Sequence, residues 1–284
     1  MKILLTGAKG MLAKDVIRNL KDNNELICTD SDELDITNQE AVLKKVKEIK
    51  PNYIINCAAY TAVDKAEEPE NYELVRKVNA EGPKNLSIAA KNEDAILVHI
   101  STDYVFDGDL NLSQSYKEED KVNPVSIYGK TKLEGEKLIK QNLDKYYIFR
   151  TAWLYGDGNN FVRTILKLAK DKEEVNVVND QHGSPTFAGD LAKIIKDAIE
   201  KKIPFGTYHA TNEGFTTWYE FTKKIYELEN IKTKVNPVTS EQFIRPAKRP
   251  TNSKLDKTKI KNAGIQVPHW EEGLKKYLER ENQK

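Results

Sequence analysis

Cysteine, histidine and long apolar runs are all scarce in this chain. Two cysteines, Cys28 and Cys57, among 284 residues make no disulfide framework. Both fall in apolar, strand-like runs, where a buried free thiol is the ordinary state. The four histidines, His99, His182, His209 and His269, are far apart and lack zinc-like spacing, so no catalytic metal is expected. No segment approaches bilayer length, and residues 1–7 hold too short an apolar run for a signal peptide, so the expected compartment is the cytoplasm. An excess of one charge is missing too. Lys and Arg number 45 against 44 Asp and Glu, a balance of +1, and no global field draws nucleic acid or an anionic membrane. Internal repeats and low-complexity tracts are also absent.

What the chain does have is a regular alternation of apolar strand runs and helical patterns. Strands are expected at 2–6, 25–30, 53–60, 95–100 and 145–149. The helical patterns between them run through Val16 and Leu20, Val42 and Val46, and Val75 to Ala89. Such alternation predicts an α/β fold, a doubly wound parallel Rossmann-type sheet, followed by a smaller and less regular C-terminal lobe. Residues 1–152, with 187–209 returning, are expected to form the dinucleotide-binding part, and 153–186 with 210–284 the substrate-binding part. Capping patterns at Thr37 to Glu40 and Thr217 to Glu220 open two of the expected helices.

The first strand leads into Gly7-Ala8-Lys9-Gly10-Met11-Leu12-Ala13 and then a helix. Backbone amides and a helix N-terminus in that context cradle a pyrophosphate, although the spacing is Gly-x-x-Gly-x-x-Ala. Asp30 ends the second strand, where a dinucleotide site places the acid that meets the adenosine ribose. Its charge would repel a 2′-phosphate, which leans toward NAD. The small Cys57-Ala58-Ala59 tip of the third strand leaves room for a flat cofactor. Asn79, set among apolar helical positions, reads as a structural hydrogen-bonder. The fourth strand runs into Ser101-Thr102-Asp103-Tyr104, hydroxyls at a strand's carboxyl end, where ligands bind in open α/β sheets.

The stretch from Pro124 to Glu136 organises the rest. Ser126 is a candidate N-cap, and on the helix beyond it Tyr128 and Lys132 share a face, one turn apart. A phenol is a poor acid at neutral pH, and a neighbouring ammonium stabilises its phenolate, so the pair reads as a general acid for a carbonyl oxygen. Alone, a Tyr-x-x-x-Lys pair more often means a tyrosine packed on a lysine stem. Thr102 beside it favours the chemical reading. Near the end, Arg245, Lys248, Arg249, Lys254, Lys257, Lys259 and Lys261 form a locally basic run. It reads either as a solvated face or as an anion clamp, with Arg better suited than Lys to a diphosphate.

These segments together resemble the extended short-chain dehydrogenase/reductase superfamily. Within it, residues 56–67, 101–108, 128–136, 150–156, 180–186 and 249–256 resemble the dTDP-4-dehydrorhamnose reductase family over essentially the whole chain. The resemblance implies reduction of a dTDP-linked 4-keto-6-deoxy sugar to dTDP-L-rhamnose with NADPH or NADH. It implies Tyr128 as the acid, Lys132 as the group that lowers its pKa and holds the nicotinamide ribose, and Thr102 as the carbonyl-orienting hydroxyl. Gly7, Gly10 and Met11 would approach the pyrophosphate and Asp30 the ribose. Asp35 and Ile36 would join the cofactor set, with Ala58, Ala59 and Tyr60 at the third strand's tip. Asp103, Tyr104, Trp153 and Arg249 would meet the substrate. Some relatives bind Mg²⁺ at a dimer interface through glutamates. The matching positions here are Asp15 and Asp190, whose shorter side chains argue against metal-bridged dimerisation, so a homodimer would need another basis. The nearest rivals are nucleotide-sugar dehydratases, epimerases, and a non-catalytic regulatory subunit of similar fold. A dehydratase needs a glutamate after the Thr-Asp pair, and Tyr104 stands there instead.

Overall fold

The near-continuous apolar runs become strands buried on both faces, as a parallel sheet requires. A computed structural model describes residues 1–283. In chain order the first half comprises β1 (Lys2–Thr6), α1 (Met11–Leu20), β2 (Glu25–Thr29), α2 (Gln39–Ile49) and β3 (Tyr53–Asn56). A long helical segment follows, then β4 (Ile96–Thr102), and later the paired elements α5 (Ile127–Asn142) and β5 (Tyr146–Thr151). The helical segment has three parts, α3 (Tyr72–Arg76), a π-helical turn (Lys77–Glu81) and α4 (Gly82–Asn92). Beyond it lie α6 (Phe161–Asp171), β6 (Glu174–Val178), α7 (Ala188–Lys201), β7 (Gly206–His209), α8 (Trp218–Leu228), β8 (Lys234–Val238), α9 (Thr258–Asn262) and α10 (Trp270–Asn282).

The main sheet has the order β7-β5-β4-β3-β1-β2 and every pairing is parallel. Strand order reverses between β1 and β3, the switch point at which open α/β sheets bind ligands. One apolar cluster covers the face under α1 and α7, with Ile3, Leu5, Val16, Phe149, Leu191 and Ile195 fully buried. A second lies under α2, α4 and α5 and includes Leu4, Val42, Ile54, Leu97 and Ile148. Each such side chain removed from water contributes roughly 1.5–3 kcal/mol, which is why both faces stay closed. A third cluster, with Tyr155, Phe187, Phe221, Trp270 and Tyr277, gathers α8 and α10 and the start of α6 beside the small β6–β8 pair. No helix among the described residues is long and apolar enough to cross a membrane.

Several boundaries differ from expectation for physical reasons. β3 stops at Asn56 because the Asn56 side chain takes over the pairing: its Oδ1 accepts from the Ala58 amide at 3.1 Å and from Thr6 Oγ1 at 2.8 Å. β4 runs on through Thr102, paired with Thr151. At α2 the cap is Asn38, whose Oδ1 accepts from Ala41 N at 3.1 Å. Thr37 is instead held by the Asp35 carboxylate through both its amide and its hydroxyl. Ser126 and Thr217 do cap α5 and α8, accepting from Gly129 N and Glu220 N.

Candidate active site

The carboxyl ends of β1, β3, β4 and β5 open on a cavity of about 430 Å³. Gly10, Met11, Ala58, Ala59, Thr102, Asp103, Tyr104, Tyr128, Lys132 and Trp153 all line it, so most of the expected site residues are brought together. At one end is the glycine turn. Gly7 has φ +69°, and a Cβ there would sit 2.6 Å from Ala58 N, so only glycine allows the turn to pass this close to the tip of β3. Gly10 begins α1 with no side-chain cap, which leaves the first amides of the helix for an anion. Gly7 and Tyr60 do not face the cavity. Tyr60 instead exchanges two backbone bonds with the Asn79 side chain, at 2.9 and 3.1 Å, and Asn79 also approaches Thr131 Oγ1 on α5. Asn79 thus ties the loop after β3 to the helix that carries Tyr128, a structural role.

Asp30 lies past the glycine turn and accepts from the amides of Lys9 and Ser31, each at 2.8 Å. Burial opposes its ionisation, but those amides outweigh it and hold the carboxyl below its ordinary range. Lys9 was not singled out in the sequence, because an exposed lysine in a glycine turn carries no periodic signal. Its ammonium pairs with Asp32 at 2.9 Å and so adds a cation beside Asp30. Asp35 and Ile36 do not line the cavity: Asp35 holds the turn at Thr37, and Ile36 packs against Gly82. These residues could hold a dinucleotide, with Gly10 and the first amides of α1 for its pyrophosphate, Asp30 for its ribose and Ala58 and Ala59 for its flat ring.

Tyr128 stands in the first turn of α5, which is held twice over. Besides the Ser126 cap, the Glu67 carboxylate accepts from Ile127 N at 2.8 Å. Gly129 lets the helix press on β4's exit, since a Cβ there would lie 2.2 Å from Tyr104 O. The Tyr128 ring meets Tyr104 edge-on, with centroids 5.6 Å apart. Thr102 Oγ1 donates to Asp103 Oδ1 at 3.0 Å and accepts from Tyr104 N. Burial, followed by the Asp103 charge, pushes the Tyr128 phenol up to about 12, with the Thr102 hydroxyl pulling the other way. The expected lowering by Lys132 is not found. The Lys132 amine bonds Ile100 O at 2.6 Å and lies 3.3 Å from His99 Nε2, and burial brings it down to about 8. Asp103 is pushed up to about 6, chiefly by burial.

Under the site, Glu136 on α5 accepts from Arg150 Nε and Nη2 at 2.9 and 2.8 Å and from Ser101 Oγ at 2.6 Å. This buried fork fixes β4, β5 and α5 in one register. Trp153 and Tyr104 also border a second cavity of about 420 Å³, shared with Trp218, Gln181, Arg245 and Arg249. Trp153 adopts φ +48° and stacks on Trp218, centroids 3.7 Å apart. Trp218 escaped notice because stacking partners from separate elements leave no spacing signal. Arg249 makes a forked ion pair with Asp64, with Nη2 to Oδ2 at 2.8 Å. Of the basic run only Arg245 and Arg249 reach this cavity. Lys254 bonds Leu112 O, Lys259 pairs with Glu119 and Lys261 with Glu213, while Lys257 is buried over Phe215. A clamp of the whole run is therefore ruled out by where its side chains point.

Asp15 and Asp190 are committed to cations of their own chain. Asp15 Oδ1 accepts from Arg18 at 2.8 Å and Arg280 at 2.5 Å, and Asp190 pairs with Lys276 at 3.0 Å.

A family model described as the RmlD substrate binding domain matches residues 1–283. The dTDP-4-dehydrorhamnose reductase of Aggregatibacter actinomycetemcomitans is 42% identical, over 96% of this chain and 97% of its own length. The crystal structure of a dTDP-4-dehydrorhamnose reductase from Clostridium acetobutylicum superposes with a TM-score of 0.96 at 50% identity, covering 99% of this chain and 100% of that one. One from Bacillus anthracis, in complex with NADP, gives 0.94 at 42% identity, covering 98% and 99%. The glycine turn, the β4 exit and the Tyr128 helix thus stand in a chain whose full length matches one group of enzymes, and the chain belongs to the dTDP-4-dehydrorhamnose reductase family.

Proposed function

We propose that this protein reduces the 4-keto group of a dTDP-linked 6-deoxy-4-keto-hexose, giving dTDP-L-rhamnose, with NADPH or NADH as co-substrate. The observation that carries the reading is one continuous lining. Gly10 and Met11, Thr102, Tyr128 and Lys132, and then Trp153 border a single cavity that adjoins the one holding Arg249. A bound dihydronicotinamide supplies the hydride. The chain's own residues bind, orient and deliver the proton. Tyr128, with its phenol pushed up to about 12, keeps its proton at neutral pH and releases it only to an oxygen that is gaining negative charge. Thr102 Oγ1 orients that oxygen by turning its one proton to it from Asp103 Oδ1. Lys132, at about 8, takes or gives a proton near neutrality. Trp153, backed by Trp218, offers the sugar a rigid apolar wall, and Arg249 exchanges Asp64 for the diphosphate.

Labour divides along the chain, with Ile260 and Ile265 of the C-terminal part packing back into the cluster under α1 and α7. Residues 1–152 with 187–209 form the cofactor half, whose last strand β7 borders β5, and 153–186 with 210–284 form the substrate half around Phe221 and Tyr277. The intrachain partners of Asp15 and Asp190 support a function that needs no bridging metal.

Absorbance at the dihydronicotinamide band tests the reading. With a dTDP-4-keto-6-deoxyhexose the protein should oxidise one NADPH or NADH per sugar converted. Sugar conversion without net cofactor consumption would indicate an epimerase, and cofactor binding with no turnover a regulatory protein. Either result overturns the proposal.

A further inference from the structure

Between the glycine turn and Lys132 run three buried polar side chains that the proposed reaction does not use: Thr6, Asn56 and His99. His99 is fully buried on β4. Its Nδ1 is 3.1 Å from Asn56 Nδ2, and its Nε2 is 3.3 Å from Lys132 Nζ. Which nitrogen carries the imidazole proton follows from the far end of this series. A backbone amide only donates, and Ala58 N donates to the Asn56 side chain, so the atom it meets is the carbonyl Oδ1. Thr6 Oγ1 meets the same oxygen at 2.8 Å. The Asn56 amide nitrogen therefore faces His99 and donates to Nδ1. Turning the amide over would set its NH₂ against the Ala58 N–H and leave that backbone donor without an acceptor.

With Nδ1 accepting, a neutral imidazole carries its proton on Nε2, aimed at Lys132. An ammonium there would set donor against donor. A neutral amine instead accepts from Nε2–H on its lone pair and still donates to Ile100 O at 2.6 Å. We propose that His99 is a positioning residue that, once the amine has lost its proton, holds Lys132 as a neutral amine against its Nε2–H and Ile100 O, and that protonation of the amine breaks the His99 contact and frees it to face the site.

The titratable groups facing the amine are His99 from β4, Cys57 beyond β3, and Glu136 from α5, the last already forked to Arg150 of β5. Burial lowers Lys132 to about 8, while Glu136 and Cys57 pull upward. Burial first, and then Lys132, hold His99 well below its ordinary value, so the ring stays neutral while the amine titrates. The inference rests on the proposed function for its meaning but needs no turnover to be tested.

The test is nuclear magnetic resonance on the cofactor-free protein. With ¹⁵N-labelled histidine, two-bond correlations should show His99 as the Nε2–H tautomer, unchanged across neutral pH. A proton on Nδ1, or an imidazolium, overturns the proposal. With lysine ¹³C-labelled at the ε carbon and Lys132 assigned through Lys132→Arg, the wild-type midpoint should fall near 8. His99→Gln can accept from Asn56 and donate to Lys132, and should keep that midpoint. His99→Leu loses the donor to the lone pair, and the midpoint should rise by about one unit, a tenfold gain in proton affinity. An unmoved midpoint in folded His99→Leu would show that burial alone sets the amine, and would also overturn it. A failed reductase assay would change none of these readings.

Discussion

Asp103 offers a prediction in which stability and proton chemistry are read from one side chain. It is 3% exposed at the exit of β4, and burial outweighs its hydrogen bonds to push its carboxyl up to about 6 from 3.8. A carboxyl with a raised folded pKa favours the folded state most when protonated. The Asp103 contribution to stability should therefore fall as pH rises from about 3.8 to about 6, and be level above that. The shift is about two units, and at roughly 1.4 kcal/mol per unit it amounts to ~3 kcal/mol at pH 7. Asp103→Asn removes the charge at almost constant volume. Its amide nitrogen gives up one acceptor position near the Tyr104 amide, at a cost of about 1 kcal/mol. The variant should thus be ~1–2 kcal/mol more stable than wild type at pH 7, and no more stable at pH 4. Because the Asp103 charge helps hold Tyr128 up, the Tyr128 phenol should also titrate lower in the variant. Urea unfolding of both proteins at the two pH values measures the first effect, and ultraviolet titration of tyrosine the second. A difference in stability that is the same at pH 4 and pH 7 would refute the reasoning, since only ionisation of Asp103 separates the two conditions.

Two further outcomes follow from charges placed across the site. Glu136→Gln leaves the buried Arg150 guanidinium facing an amide NH₂, so it should cost about 3–5 kcal/mol in urea unfolding; a loss under about 1 kcal/mol would show that the fork is not holding the β4–β5–α5 register. Arg249→Ala should raise KM for the nucleotide-sugar and leave KM for NADPH unchanged. Equal changes in both would mean that Arg249 acts only through its pair with Asp64.

The parts of this molecule that were legible in its sequence are those whose cause is local. The strands of the parallel sheet show as apolar runs because both their faces are covered, and Ser126 and Thr217 show as caps because an N-cap is chosen by the three residues after it. Neighbouring candidates are harder. Thr37 and Asn38 both suit a cap, and Asp35 decides between them by holding Thr37 outside the helix. The π turn at Lys77–Glu81 inserts into a pattern that reads as one continuous helix. Most of the cavity-lining residues carried motif signals, but which of them pair with one another did not. Asn56, His99 and Lys132 come from three elements, and Asp64 and Arg249 lie far apart in the chain. For the same reason the sequence pairs Lys132 with Tyr128 along one helix, whereas the contacts of the amine are to His99 and Ile100 on β4.

The central claim is that the Tyr128 phenol delivers the proton as a hydride reaches the keto carbon. Single-turnover rates of Tyr128→Phe with NADPH and a dTDP-4-keto-6-deoxyhexose, set beside its NADPH affinity, test this most directly. Loss of the general acid should slow the reaction ~10²–10⁴-fold with cofactor binding nearly unchanged. A rate within about threefold of wild type, at equal NADPH occupancy, would contradict it, because an effect that small lies far below what a general acid contributes.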